Sequence, residues 1–177
     1  MDYISYYDSP LGGITLGSDG ENLIGLWFDD QKYFADCLDR QHQVKELPIF
    51  DDTKKWLDIY FKGKMPEFTP KLHMRCTDFR KAVWNIMLQI PYGQTMTYGE
   101  IAETIARERG LKKMSAQAVG GAVGHNSISL IIPCHRVVGT SGSLTGYAGG
   151  IDKKVQLLTL EKANTEDFYV PKYSTAP

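Results

Sequence analysis

The chain of 177 residues contains few cysteines and no long apolar stretch. Its three cysteines, Cys37, Cys76 and Cys134, lie far apart, and none belongs to a CxxC pair or to a Cys/His cluster with zinc spacing. No run of about eighteen apolar residues is present, and the N-terminus lacks the basic start and apolar core of a signal peptide. We therefore expect reduced thiols, a cytoplasmic protein, no membrane partner, and neither a metal nor another cofactor.

The chain also has almost no net charge, with a formal value of −1. The charges are unevenly distributed, however. Residues 1–75 contain nine Lys/Arg against thirteen Asp/Glu, whereas residues 76–164 contain ten against six. A basic half is typical of a domain that binds an anion, although chance variation between two halves explains the same counts. The length is sufficient for one core or for two small ones.

Residues 1–75 show the pattern of a small α/β domain. Three strand-like segments, separated by Gly-rich turns, are predicted at residues 3–8, 13–17 and 22–28. Residues 51–53 supply helix-start residues before an apolar periodic stretch, which predicts a helix that begins there and ends at Gly63. We place an extended linker at about residues 64–76, where two prolines interrupt a polar stretch.

Residues 76–164 change to the spacing of short helices. The residues predicted to start these helices are Thr77, Thr97 with Glu100 three positions later, Ser115 and Asp152. Two short helices in succession, residues 98–106 and 116–123, are typical of a helix-turn-helix variant. Residues 165–177 are interpreted as a polar tail.

The segment Pro133-Cys134-His135-Arg136-Val137 sets a thiol beside an imidazole directly after an apolar run. A cysteine is a nucleophile where a base takes its proton, and otherwise a small buried hydrophobe. Adjacent side chains on a strand point to opposite faces, which favours the inert interpretation of an isolated Cys-His pair. His135 is the candidate base. Glu161 is the candidate orienting carboxylate, although a solvated charge is the usual role of a helical glutamate.

Residues 125–138, which include this segment, resemble the active-site signature of the O6-alkylguanine-DNA alkyltransferases. The resemblance extends to residues 9–12, 26–28, 91–98 and 146–150, and to Glu161. It implies an α/β N-terminal domain, with an antiparallel sheet plus helix and a ribonuclease H-like fold. A mostly α-helical C-terminal domain with a helix-turn-helix would follow. We accordingly predict a scaffold domain at residues 1–75 and a DNA-binding and alkyl-transfer domain at residues 76–164.

The resemblance also implies the activity of a methylated-DNA–protein-cysteine S-methyltransferase. Members of that family bind double-stranded DNA through the minor groove, flip the alkylated guanine out of the stack, and transfer the alkyl group irreversibly to their own cysteine. Each molecule acts once. For this chain the resemblance implies a monomer that repairs O6-alkylguanine, and O4-alkylthymine as well.

The site residues implied by the resemblance form a catalytic set and a DNA-contacting set. Cys134 would accept the alkyl group, His135 would act as its water-linked base, and Glu161 would polarise His135. Asn126 would hold the turn that bears the thiol, and Tyr98 would donate a hydrogen bond near guanine N3, although it has an alternative role in capping its helix. The predicted DNA contacts are Ala116, Gln117, Ala118, Gly120, Val123, Val137, Tyr147 and Ala148.

The resemblance implies roles for four of these contacts. Tyr147 and Ala148 would lie in the loop that covers the flipped base, and the carbonyl of Val137 would contact the exocyclic amine of guanine. Gln117 departs from the family pattern, because members commonly have an arginine there, which enters the stack where the base leaves. Glutamine is neutral and shorter, so we expect weaker DNA binding than an arginine would give.

Several alternatives stay open at this stage. A non-catalytic binder of alkylated DNA would share the fold but would not need Cys134. A thiol hydrolase or peroxidatic enzyme is disfavoured, because no resolving cysteine is near Cys134 in the sequence. The basic residues in 107–114 would contact phosphates or lie in a solvated loop, and Arg136 would form an ion pair with the N-terminal half or contact DNA.

Overall fold

The computed structural model describes residues 1–171, which form two compact units. Unit 1 comprises residues 1–75 and 127–131, and unit 2 comprises residues 76–126 and, within the described part of the chain, residues 132–171. The last six residues of the predicted polar tail, 172–177, lie outside the described residues. Within the described part, no helix is long and apolar enough to cross a membrane.

Unit 1 is built on a four-stranded sheet with the strand order β3-β2-β1-β4. Its strands are β1 (Asp2–Ser9), β2 (Gly12–Ser18), β3 (Leu23–Phe28) and β4 (His42–Val44). The first three strands form the predicted antiparallel meander. The sheet is nevertheless mixed and not purely antiparallel, because β4 pairs in parallel with β1. All three residues of β4 are exposed, so it lacks the apolar alternation that identifies a strand in a sequence.

The outer edge of β3 is covered by a segment from the middle of the chain. The Leu26 amide donates a hydrogen bond to the Ser127 carbonyl at 2.8 Å, and the Ser129 amide donates to the Leu26 carbonyl at 3.0 Å. These bonds bring residues 127–131 into unit 1. Residues 127–131 thus join unit 1 through backbone pairing with a distant strand. Such pairing leaves no local mark in the sequence.

Helix α1, Pro48–Phe61, packs against the sheet of unit 1. It begins at Pro48, before the predicted start at residues 51–53. The fixed φ of proline suits the first position of a helix, where its missing N–H leaves no bond unmade. Thr53 therefore lies inside the helix, buried, with its hydroxyl donating to the Ile49 carbonyl at 2.8 Å.

Unit 2 contains four helices and one short parallel strand pair among its described residues. They are α2 (Asp78–Met87), α3 (Tyr98–Glu108), α4 (Ala116–Gly124), α5 (Ile151–Leu160), β5 (Met96–Thr97) and β6 (Val137–Val138). The Trp84 indole N–H donates to the Ala122 carbonyl at 2.8 Å, which joins the buried faces of α2 and α4. This satisfied donor allows the large indole to lie in the core.

Three of the predicted helix caps are present in unit 2. The hydroxyls of Thr77 and Ser115 each accept a hydrogen bond from a first-turn amide. Thr97 and Glu100 form the reciprocal capping box that starts α3. Helix α5 differs, because it begins at Ile151 after Gly150 and no side chain caps it. Gly150 has a φ of +100°, a conformation that disfavours a residue with a Cβ.

Candidate active site

Cys134 begins a single 3-10 turn, Cys134–Arg136, and its side chain is buried. The turn is fixed from the N-terminal side by two hydrogen bonds to one carbonyl. The Cys134 amide donates to the Ile132 carbonyl at 2.8 Å, and the Asn126 side-chain amide donates to the same oxygen at 2.8 Å. Because the segment is a turn and not a strand, the side chains of Cys134 and His135 do not have to point to opposite faces.

The Glu161 carboxylate, at the C-terminal end of α5, accepts four hydrogen bonds. His135 Nε2 lies 2.5 Å from one carboxylate oxygen, and Arg136 donates through Nε at 2.8 Å and through Nη2 at 3.2 Å. The Gly93 amide supplies the fourth bond at 3.0 Å. The side chains of His135 and Glu161 are fully buried, so this carboxylate is a structural centre and not a solvated helix charge.

These contacts determine the protonation of the pair. Burial alone would raise the pKa of Glu161, but its hydrogen bonds to His135 and Arg136 and the positive charge of Arg136 outweigh burial and hold that pKa well below its usual range. Burial lowers the pKa of His135, against the opposing effect of Glu161. Arg136 already compensates the carboxylate, so the imidazole is neutral and donates its Nε2–H to Glu161. Its Nδ1 is then the basic nitrogen.

Lys154 is the second buried charged group near the thiol. Its ammonium donates to the Val137 carbonyl at 2.6 Å and to the Thr145 carbonyl at 3.0 Å, and lies 5.9 Å from the centroid of the Tyr98 ring. Burial lowers the pKa of Lys154 to about 8, while a negative charge on Cys134 acts in the opposite direction. A cation therefore lies close enough to Cys134 to stabilise a thiolate electrostatically.

Tyr98 lies at the first position of α3 and points its hydroxyl at the loop before α5. The hydroxyl donates to the Thr145 carbonyl at 3.2 Å and to the Gly146 carbonyl at 3.4 Å. Burial raises the pKa of Tyr98, and a charge on Cys134 raises it further, so the phenol keeps its proton. Tyr147, in the same loop, is buried and meets the His135 ring edge-on, with centroids 6.4 Å apart.

The predicted DNA-contacting residues of α4 divide into two groups by burial. Ala116, Gln117 and Ala118 are exposed at the start of the helix, whereas Gly120 and Val123 face the interior of unit 2. A helix that packs one face against α2 and α3 cannot present all five residues to a ligand. The side chains available for contact are therefore those of residues 116–118.

Comparison with known proteins gives two family matches that together cover nearly the whole chain. Residues 3–74 match the ribonuclease-like domain of 6-O-methylguanine DNA methyltransferase, and residues 78–163 match its DNA-binding domain. The chain belongs to the 6-O-methylguanine DNA methyltransferase family. Its fold accordingly has a ribonuclease-like first domain and a DNA-binding second domain, as the sequence predicts.

Individual members of this methyltransferase family are similar to the chain over most of their length. The chain is 45% identical over 156 residues to the Mycobacterium bovis methylated-DNA–protein-cysteine methyltransferase, covering 88% of this chain and 90% of that protein. The Haemophilus influenzae protein of the same name is 37% identical, covering 97% of each. A crystal structure of Mycobacterium tuberculosis OGT in complex with DNA has a TM-score of 0.77 and 43% identity, covering 90% of this chain and 92% of that one.

Within this methyltransferase, the structure brings the sequence-predicted residues His135 and Glu161 into contact and ties Asn126 to the turn of Cys134. Arg136 pairs with Glu161 inside unit 2, so its ion-pair partner does not lie in the N-terminal half. Among the described residues, no group of three or more His, Cys, Asp or Glu side chains is arranged to hold a metal ion.

Lys154 and Gly93 belong to the site, although neither is among the residues predicted from the sequence. Lys154 follows another lysine, and a pair of lysines on a helix suggests a solvated face. Its position three residues after Ile151 and four before Leu158 nevertheless puts it on the apolar face of α5, which is the signal for burial. Gly93 has a φ of +77°, and a Cβ there would lie 3.0 Å from the Glu161 carbonyl.

Proposed function

We propose that the chain repairs O6-alkylguanine in double-stranded DNA by moving the alkyl group irreversibly to Cys134, each molecule acting once. The observation that supports this most strongly is the buried His135–Glu161 pair beside the turn that bears the cysteine. A pure lesion binder would not need a nucleophilic cysteine beside that pair. Family membership and the DNA complex of the M. tuberculosis relative favour DNA as the partner.

The first step transfers a proton away from the thiol. His135, with its Nε2–H held by Glu161, accepts the Cys134 proton on Nδ1 through a water molecule. The thiolate sulfur then attacks the alkyl carbon of the flipped base. The S–C bond forms as the C–O6 bond breaks, and the electron pair of the broken bond stays on guanine.

The departing guanine gains negative charge, and two groups of the site compensate it. Tyr98 keeps its proton, because its pKa is raised, and its hydroxyl can turn from the Thr145 carbonyl to the base. Lys154 lies beneath the Tyr98 ring and adds a positive charge to the same region. The Val137 carbonyl already accepts from Lys154, and in this mechanism its second lone pair accepts from the exocyclic amine of guanine.

Helices α3 and α4 are proposed to act as a helix-turn-helix that enters the minor groove with the exposed residues 116–118. Base flipping would then place the guanine beneath Tyr147 and Ala148. We also propose that O4-alkylthymine is a substrate, that the protein acts as a monomer, and that it works in the cytoplasm. A reducing compartment keeps Cys134 free to react, and none of the three cysteines forms a disulfide.

The test is intact-mass measurement after incubation with a duplex that contains O6-methylguanine. We expect the protein to gain one methyl group, on the peptide that contains Cys134, in an amount no greater than one per molecule. Repair that continues over many cycles without an adduct contradicts single-turnover transfer and favours a hydrolase. Tight binding to the lesion duplex with no adduct favours the alternative, a non-catalytic lesion-binding protein.

Gln117→Arg is expected to strengthen duplex binding roughly fivefold at about 100 mM salt and to steepen the salt dependence by about one unit of log–log slope. The residue is exposed at the start of α4, where an arginine gains a phosphate contact that glutamine lacks. Titration of a fluorescent duplex at several salt concentrations measures both quantities. Gln156→Arg, at an exposed position on α5, controls for the added charge. Equal gains in duplex affinity in the two variants would contradict a direct contact of residue 117 with DNA.

Lys154→Met is expected to lower the transfer rate about tenfold and to remove the alkaline limb of its pH profile. The pKa of Lys154 is lowered to about 8, so the charge that stabilises the thiolate is present below that pH and lost above it. Single-turnover transfer between pH 6 and pH 10 measures the profile in roughly half-unit steps. Lys153→Met, at the adjacent residue of α5, is the control. If the alkaline limb persists in Lys154→Met, the limb reports the titration of another group.

A further inference from the structure

The loop before α5 supplies acceptors to the active site through its backbone. We define it as the site loop, residues 139–146. Its Thr145 carbonyl accepts from Lys154 Nζ at 3.0 Å and from the Tyr98 hydroxyl at 3.2 Å, and its Gly146 carbonyl lies 3.4 Å from the same hydroxyl. A displacement of the loop therefore moves the partners of both groups at once.

The chain that follows α5 runs beside this loop. We define it as the C-terminal strap, residues 163–170, most of which the sequence suggests is only a polar tail. The Leu144 amide donates to the Tyr169 carbonyl at 2.8 Å, and the Tyr169 amide donates to the Gly142 carbonyl at 3.1 Å. Ser143 and Tyr169 thus form a parallel β-bridge, so the strap is hydrogen-bonded directly to the site loop.

Apolar packing joins the strap to the same loop. The cluster consists of buried Val138, Leu144 and Leu158, with half-buried Val155, Ala163 and Phe168 packed against them. The strap supplies Ala163 and Phe168, and the loop supplies Leu144. Since Phe168 is the largest side chain of the cluster, its truncation removes most of the strap's apolar contact with the loop.

The backbones of loop and strap lie close together at Gly142. Its φ is +85°, and a Cβ built there would lie 2.3 Å from the Asp167 carbonyl oxygen and 3.0 Å from a ring carbon of Phe168. A side chain at this position must push the strap away from the loop. Gly142 therefore permits the close contact on which the hydrogen bonds between loop and strap depend.

We propose that the C-terminal strap is a positioning element for alkyl transfer, and that Phe168 and Gly142 hold the site loop so that Thr145 stays in place for Tyr98 and Lys154. The strap acts through the loop and touches no reacting atom. When the strap no longer holds the loop, Lys154 loses the Thr145 carbonyl, which is one of its two acceptors. The charged form of Lys154 is then less stabilised. This inference rests on the proposed transfer to Cys134.

The experiment compares Phe168→Ala, Phe168→Leu and Gly142→Ala in the full chain. Single-turnover transfer of methyl from a duplex is measured across pH, and amide hydrogen exchange of the site loop is measured without DNA. We expect Phe168→Ala and Gly142→Ala to lower the rate about tenfold, to shift the alkaline limb to lower pH, and to speed exchange at Leu144. Phe168→Leu, which keeps an apolar contact, is expected to restore the rate to within about twofold.

Gly12→Ala is the matched control for backbone strain. Gly12 has a φ of +111° in the β1–β2 hairpin, and a Cβ there meets nothing within 4 Å. The Gly12→Ala variant should be less stable than the wild type, with an unchanged transfer rate, an unchanged alkaline limb and unchanged amide exchange of the site loop. Folded Phe168→Ala and Gly142→Ala with normal rates and normal loop exchange overturn the inference, as does a rate loss without a shifted limb. If Phe168→Ala does not fold, Gly142→Ala decides by the same criteria.

The exchange measurement needs no activity, so it separates this inference from the function on which it rests. A wild-type protein that acquires no methyl group contradicts the proposed transfer. Faster exchange at Leu144 in the variants of such a protein still supports the contact between strap and loop, but transfer without any loss in those variants contradicts the positioning role alone.

Discussion

Cys134→Ala should abolish methyl transfer while leaving duplex binding within about threefold of wild type, because one small buried atom is lost. The other two thiols cannot replace it at neutral pH. Burial raises the pKa of Cys37 to about 11, and burial also raises the pKa of Cys76, so both stay protonated. Intact-mass analysis after incubation with an O6-methylguanine duplex measures the transfer, and fluorescence titration measures the binding.

Alanine variants of the other two cysteines test whether the transfer depends on the Cys134 sulfur alone. Cys37→Ala and Cys76→Ala are expected to transfer methyl at the wild-type rate, because burial raises the pKa of each of these thiols and keeps it protonated at neutral pH. A methyl adduct that persists in Cys134→Ala assigns the reaction to another nucleophile. Cys134→Ala also holds the lesion without consuming it, which allows binding to be measured separately from chemistry.

Much of the fold is predictable from local sequence, because its signals are local. Thr77, Ser115 and the Thr97–Glu100 pair start their helices through hydrogen bonds made within four residues. The meander of β1 to β3 likewise follows from alternation and turns. Strand β4 and the segment 127–131 escape prediction, because each is fixed by backbone bonds to a distant strand and not by its own side chains.

The candidate site divides in the same way. Cys134, His135 and Glu161 are predictable through the specific residues that resemble the alkyltransferase signature, and family membership confirms that resemblance. Lys154 is not recognised, because a lysine's role depends on burial that only the packed helix reveals. Arg136 poses the same difficulty: its partner lies 25 positions away in sequence, and nothing local distinguishes a buried pair from a solvated charge.

The second large effect is expected at the carboxylate that organises the site. Glu161→Gln should slow methyl transfer about a hundredfold and destabilise the fold by about 3–5 kcal/mol. The amide cannot compensate Arg136, which is buried, and it no longer fixes the tautomer of His135. Single-turnover transfer and urea unfolding measure the two effects, with the exposed Glu67→Gln as the control. Wild-type stability in Glu161→Gln contradicts the assigned charge compensation.

The pH dependence of stability follows from the depressed pKa of Glu161. In the unfolded chain this carboxyl titrates near its ordinary value of 4.5, whereas in the fold it stays ionised to much lower pH. Its contribution to the free energy of unfolding is therefore complete above about pH 4.5, and this contribution is lost progressively as the pH falls toward the pKa of Glu161 in the folded protein. Glu161→Gln removes this contribution, so the stability difference from wild type should be largest at neutral pH and should shrink in acid.

The double variant Arg136→Met with Glu161→Gln separates stability from catalysis. Removing the arginine as well takes away the uncompensated buried charge, so we expect the double variant to recover most of the lost unfolding free energy. The transfer rate should stay low, because His135 still lacks the carboxylate that holds its Nε2–H. Recovery of transfer together with stability would mean that Glu161 serves only to neutralise Arg136. Recovery of stability alone assigns the orientation of the base to Glu161.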